Sequence, residues 1–295
     1  MKVRSSIWAL LCVCLFFFSS LAFAEESTET AALQESAGGG EAFISSRGEA
    51  ARLDFTKLSD GIVTALYSGD APSASVQVIF PDGQVTPYAL VPGEASVLAL
   101  GGGSGSYRIN VLEKAESEQF AVILSHAFKW FPENELSPFL QPNAYVHYHE
   151  GSECAEVARG LFDAVQGDAP AFVDAVYHYV ISNIAYDEDL AGGVPSGYVP
   201  DPDAVIERGR GICLDYAALM TAMLRSCGLP ARMIAGNFDA YYHTWVSVSE
   251  KIPSDGRISS ASWKTYDPTL GASNSSSEVR KRLNSGKDYI AKYVY

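Results

Sequence analysis

The chain has 295 residues, 47% of them hydrophobic and 19% charged, with a formal net charge of −14. That apolar share supplies cores for about two domains of ordinary size and excludes wholesale disorder or a fibrous repeat. A surface this acidic repels phosphate backbones, so no nucleic acid is expected as a partner.

The first twenty-four residues read as a segment apart from the fold. Lys2 and Arg4 make a positive start, Ile7 to Phe18 is an unbroken apolar run, and Ala22-Phe23-Ala24 is the small-x-small pattern of a signal-peptide cleavage site. The run is shorter than the ~20 residues a spanning helix needs. Neither Cys12 nor Cys14 stands where a lipoprotein signal would place its cysteine. The expectation is cleavage near Ala24 and a secreted or extracytoplasmic chain with no transmembrane domain. Cys154, Cys213 and Cys227 then remain. An odd number outside the cytoplasm predicts at least one thiol that is not bridged within the chain.

Residues 25–42 are small, acidic and aperiodic, and read as a flexible linker. Over residues 43–131, short β-prone runs follow one another: Leu53 to Phe55, Gly61 to Tyr67, Ala74 to Phe80, Ala95 to Leu100, Ser106 to Leu112 and Phe120 to Phe128. Turn signals separate them at Ser68-Gly69-Asp70, Pro81-Asp82-Gly83, Pro92-Gly93 and Gly101-Gly102-Gly103. Strands at this spacing predict an antiparallel β-sandwich. It carries no catalytic constellation.

Residues 132–150 (PENELSPFLQPNAYVHYHE) form a proline-bearing connector. His147 and His149 lack a third ligand at a metal-binding spacing, so no metal is expected. Helical periodicity begins near Glu153, and Phe172, Val176, Tyr179 and Val180 mark one helix that ends near Ile184. His178 on that helix reads as a surface or structural histidine.

At Gly209-Arg210-Gly211-Ile212-Cys213 a glycine-bearing turn delivers a cysteine to the start of a helix, Leu214 to Arg225. Gly228-Leu229-Pro230 stops it, with Gly228 as the left-handed cap. The helix is apolar on most sides and is predicted to be buried and central. A helix N-terminus stabilises a thiolate, so Cys213 is the candidate nucleophile. A helix roughly 20 Å long would separate Cys213 from Cys227 and exclude a bridge between them. Strands are expected at Ala231 to Phe238, Tyr241 to Ser249 and Ser262 to Asp267. The second carries His243 on the same face as Trp245 and Ser247, and the third carries Asp267 before Pro268. A thiol, a base and a carboxylate that orients the base make an activated nucleophile.

The runs RGRGICLDYAALMTAMLRSCGLPARMIAGNF, YHTWVSV and WKTYDPTL resemble, in order, the core of the transglutaminase-like superfamily, which is similar in catalytic design to papain-like cysteine proteases. Gly211-Ile212-Cys213, Gly228-Leu229-Pro230-Ala231-Arg232, His243-Thr244-Trp245 and Asp267-Pro268 carry the resemblance. Tyr179 to Asp187 resembles the helix ahead of that core, and the likeness covers about residues 153–295. It implies an α+β fold, in which the sandwich precedes a domain at 151–295 with a central helix packed on an antiparallel sheet. It also implies Cys213 as nucleophile, His243 as general base and then acid, and Asp267 as the group that orients it. The reaction implied is acyl transfer from an amide of a protein or peptide substrate outside the cytoplasm. It needs no cofactor. Asp215 and Tyr216 beside the nucleophile shape the site or pack the helix. The competing expectation is a catalytically inactive cell-surface module that binds a protein or glycan.

Overall fold

The computed structural model describes residues 42–115, 119–239, 241–274, 281 and 289–295. The expected signal peptide and nearly all of the expected linker lie outside them. Eight strands come first: β1 (Phe43–Ser45), β2 (Ala51–Asp54), β3 (Ile62–Tyr67), β4 (Ala74–Ile79), β5 (Val85–Leu90), β6 (Ala95–Ala99), β7 (Gly105–Lys114) and β8 (Phe120–Trp130). They pair antiparallel into two four-stranded sheets, ordered β1-β2-β3-β6 and β5-β4-β7-β8. Alternation turns Leu53, Val63, Ala65 and Tyr67 of the first sheet inward, into one buried cluster with Val76, Val78, Tyr107 and Ile109 of the second.

Two of these strands are not legible in the sequence pattern. β1 has only three residues. β5 contains Pro87, a residue that argues against a strand, and the structure accommodates it by placing β5 at a sheet edge, where a missing N–H costs no ladder bond.

The second half continues with α1 (Glu153–Ala164), α2 (Ala169–Asn183), β9 (Ala185–Tyr186), α3 (Glu188–Ala191), α4 (Pro202–Arg208), β10 (Arg210–Gly211) and α5 (Cys213–Ser226). Then come β11 (Ala231–Phe238), β12 (Tyr241–Ser249), β13 (Trp263–Tyr266), α6 (Pro268–Ser273) and β14 (Tyr289–Val294). The last four strands form an antiparallel sheet ordered β13-β12-β11-β14. The central helix α5 packs on β11 and β12 with α1, α2 and α4 around it, and every residue from Cys213 to Arg225 is buried. Gly228 follows with φ +81°, the left-handed conformation that ends the helix. The fold is α+β: an antiparallel sandwich and a helix-on-sheet layer. Among the described residues no helix is long and apolar enough to cross a membrane.

The connector joins the two parts through buried side chains. Tyr145 packs against Tyr88 of β5 at 5.8 Å and against Tyr295 at 4.7 Å between ring centroids, and the Tyr295 hydroxyl donates to the Pro87 carbonyl. Glu135 accepts hydrogen bonds from the Ser104 N–H, the Ile258 N–H and Arg257 Nη1. Burial pushes its carboxyl up, but these donors outweigh it and bring its pKa down to about 2. One carboxylate therefore ties the loop before β7, the connector and the loop before β13.

Candidate active site

Cys213 is the first residue of α5, and two glycines bring it there. Gly209 ends α4 at φ +62°, in the left-handed region. A Cβ on Gly211 would stand 2.6 Å from the Asp215 Cβ, so only glycine lets the chain pass that side chain. Asp215 in turn folds back over the helix start, where its Oδ2 accepts from the Ile212 N–H at 2.9 Å. Its Oδ1 takes the Tyr198 hydroxyl at 2.7 Å and Arg208 Nη2 at 3.1 Å. Burial raises the Asp215 carboxyl above the ordinary range, against the pull of those three donors. The carboxylate thus satisfies an orphan amide of the helix that begins with the thiol. Tyr216 donates its hydroxyl to the Ile184 carbonyl and so anchors α5 to the end of α2. Both residues are part of the packing that fixes the helix start.

The Cys213 side chain is buried, and its sulfur lies 4.0 Å from the Thr244 hydroxyl, on the residue next to His243 in β12. His243 is 4% exposed and stacks on Trp245 at 6.4 Å, which agrees with the expected shared face. Its Nε2 lies 2.9 Å from Asp267 Oδ2. Its Nδ1 is buried and has no hydrogen-bond partner among the described residues. With the ring N–H directed at the carboxylate from Nε2, Nδ1 keeps its lone pair and can accept a proton.

Asp267 is fully buried at the start of α6. Oδ1 caps that helix by accepting from the Leu270 N–H at 2.8 Å. Oδ2 accepts from His243 and also from the Tyr289 hydroxyl at 2.8 Å. Burial pushes this carboxyl up, but His243, with the Leu270 and Tyr289 donors, holds it below its ordinary value.

Burial and the neighbouring Asp203 carboxylate push the Cys154 thiol up, and burial raises that of Cys227. None of the three cysteines is in a disulfide. The structure brings His243 and Asp267 into direct contact and sets Cys213 against the residue beside His243. It does not gather the other histidines: His149 Nδ1 accepts from the Gly151 N–H inside a turn, and His178 packs its ring on Tyr177. Among the described residues no group of three metal-ligating side chains occurs. Tyr289, Tyr198 and Arg208 are the site residues that sequence reasoning missed. Tyr289 reaches the site through the sheet order and Tyr198 from a loop, while Arg208 is the last residue of α4 and opens the run that leads to Cys213.

Residues 155–268 match the family model described as the transglutaminase-like superfamily. This stretch is similar to a transglutaminase-like core. The segment takes in α5, β12 and Asp267, so the matched family and the His243–Asp267 contact coincide. Among solved structures, the chain is similar to a candidate cysteine protease from Cytophaga hutchinsonii, at 14% identity over 79% of each chain with a TM-score of 0.38. A candidate protease from Parabacteroides distasonis is 12% identical over 73% of this chain and 62% of its own, at TM-score 0.31. Red sea bream transglutaminase is 14% identical over 70% of this chain and 48% of its own, at TM-score 0.28. No curated protein matches the sequence. The likeness rests on the family match over residues 155–268 and not on these overlays.

Proposed function

We propose that the chain is an exported cysteine-dependent enzyme that transfers acyl groups from amide bonds of protein or peptide substrates. The observation that carries this reading is the buried His243–Asp267 hydrogen bond, which leaves Nδ1 of His243 without a partner among the described residues, on a strand packed against the helix headed by Cys213.

In the proposed reaction, Nδ1 takes the Cys213 thiol proton and the sulfur forms a bond to the substrate's amide carbon. The carbonyl oxygen becomes an oxyanion, which the N–H groups at the start of α5 face with the positive end of the helix dipole. His243 then returns its proton to the departing nitrogen as the C–N bond breaks, leaving a thioester. Water or a primary amine attacks the thioester carbon while His243 takes its proton; His243 passes that proton to the sulfur as the C–S bond breaks, which frees the acid or the new amide and restores the Cys213 thiol. Asp267 keeps Nε2 protonated and offsets the charge on the ring.

The test is mass-spectrometric profiling with a mixed peptide library, with and without a primary amine such as cadaverine. Hydrolysed peptides identify a peptidase or amidase, and incorporated amine identifies a cross-linking activity. No product in either arm rejects the enzyme reading in favour of an inactive binding module.

A further inference from the structure

The structure assigns Tyr289 as a positioning residue: its hydroxyl holds the Asp267 carboxylate in the place from which it orients His243. This inference rests on the function proposed above and extends the site to the last strand of the chain. Three donors from three different elements fix the carboxylate: the Leu270 N–H of α6 on Oδ1, with His243 of β12 and Tyr289 of β14 sharing Oδ2. Tyr177 of α2 holds the backbone of the same residue, its hydroxyl donating to the Asp267 carbonyl at 3.4 Å.

Tyr289 is itself held by aromatic packing. Its ring lies 4.6 Å from Phe238 and 5.0 Å from Trp245, the two rings that flank His243 at 5.8 and 6.4 Å. The approach of β14 depends on Gly236, the register partner of His243. A Cβ there would collide with the Ile290 carbonyl, where the β11–β14 register shifts between Ala235 and Gly236. A backbone bulge therefore carries the phenol to the carboxylate.

A hydrogen bond donated to a carboxylate favours its ionised form. A carboxyl held below its unfolded value contributes its stability in full above that value and loses it as pH falls through the folded value. Asp267 is held in this way. Tyr289→Phe keeps the ring and its packing while removing this one donor.

Two measurements on the full chain test the assignment. Thermal unfolding of parent and Tyr289→Phe is compared from pH 7 down to pH 2; the expected Tm loss is about 3 °C at neutral pH, shrinking only below the ordinary aspartate range, as pH falls through the lowered folded value of Asp267. A loss constant across the whole range, or no loss at all, overturns the link to the carboxylate. Iodoacetamide labelling near pH 7 is then read by mass spectrometry at each cysteine. The expected result is severalfold slower labelling of Cys213 in Tyr289→Phe, with Cys154 and Cys227 unchanged. An unaltered Cys213 rate overturns the positioning role even where the Tm gap behaves as expected. A parent in which Cys213 is labelled no faster than Cys154 and Cys227 rejects the nucleophile reading instead, and the Tm comparison still decides whether Tyr289 holds Asp267.

Discussion

In the sandwich the buried polar side chains are Ser46, Ser75, Thr86 and Ser96, all neutral hydroxyls, whereas residues 151–295 bury Asp187, Asp215, Arg225, His243 and Asp267. The two regions have apolar interiors of the same kind, so the need for a core does not explain the difference. Burying a charge costs several kcal/mol unless partners compensate it, and a chain has no packing reason to do so repeatedly. In the second region each carboxylate is surrounded by donors: Asp215 by Ile212, Tyr198 and Arg208, and Asp267 by His243, Leu270 and Tyr289. Buried charge thus separates the region that holds the candidate site from the sandwich.

The comparison breaks most visibly at the nucleophile. Cys213→Ala is expected to reduce turnover to background, a loss on the order of 10⁶-fold, and His243→Ala to come close to it because members of such a unit fail together. Steady-state rates on any substrate found in the peptide screen give the readout, with circular dichroism confirming that both variants fold. Turnover retained by Cys213→Ala would place the chemistry elsewhere.

Asp267→Asn comes next. The asparagine amide would donate to Nε2 and force the ring proton onto Nδ1, the nitrogen needed as base. The equivalent exchange in Ser–His–Asp triads costs ~10⁴-fold, and a thiol nucleophile, which ionises more readily than a hydroxyl, should lose less. A rate within tenfold of the parent would mean that the carboxylate serves only as the cap of α6.

How much of this is visible in the sequence depends on the range of each interaction. Cys213 is legible because its helix start is written locally in glycines and apolar periodicity. The strands at Ala231–Phe238 and Tyr241–Ser249 match their expected bounds for the same reason, with alternation bracketed by Pro230 and the break after Phe238. His243 and Asp267 stand out through neighbouring Trp245 and Pro268. Tyr289 is different, since it lies 22 residues beyond Asp267 and meets it only because β14 adds to the sheet beside β11. Tyr198 reaches Asp215 from a loop that has no periodicity, and Arg208 reaches it from the end of the short helix α4. The strand at Val85–Leu90 escapes because Pro87 contradicts local propensity, and only the edge position in the sheet resolves the conflict.

Arg225 sharpens the comparison from the opposite direction, because it is a buried charge with a structural task. It donates from Nε to the Ala231 carbonyl, from Nη1 to Gln141 and from Nη2 to Tyr295, each at 2.8 Å. Burial lowers its pKa to about 10, which leaves it charged at neutral pH. Arg225→Ala strands three carbonyls that bind α5 to the connector and the last strand. The expected cost is about 3–4 kcal/mol, read as a lower denaturant midpoint at unchanged m-value. Alkylation of Cys213 in the protein that remains folded should be little altered, which separates this charge from those of the site.

The smallest effect belongs to the sandwich. Thr86 is fully buried in β5, and its hydroxyl has no hydrogen-bond partner among the described residues. A hydroxyl left unpaired in an apolar interior costs about 1 kcal/mol or more, and valine has nearly the same shape without it. Thr86→Val should therefore stabilise the protein by about 1 kcal/mol and raise the Tm by about 2–4 °C, with the rate of Cys213 alkylation unchanged. The outcome distinguishes two accounts of a buried polar group. If the sandwich hydroxyls are tolerated defects, their removal helps and touches no chemistry. A loss of stability, or a change at Cys213, would show that the sandwich uses its polar groups as the second region does, and the division between the two would fall.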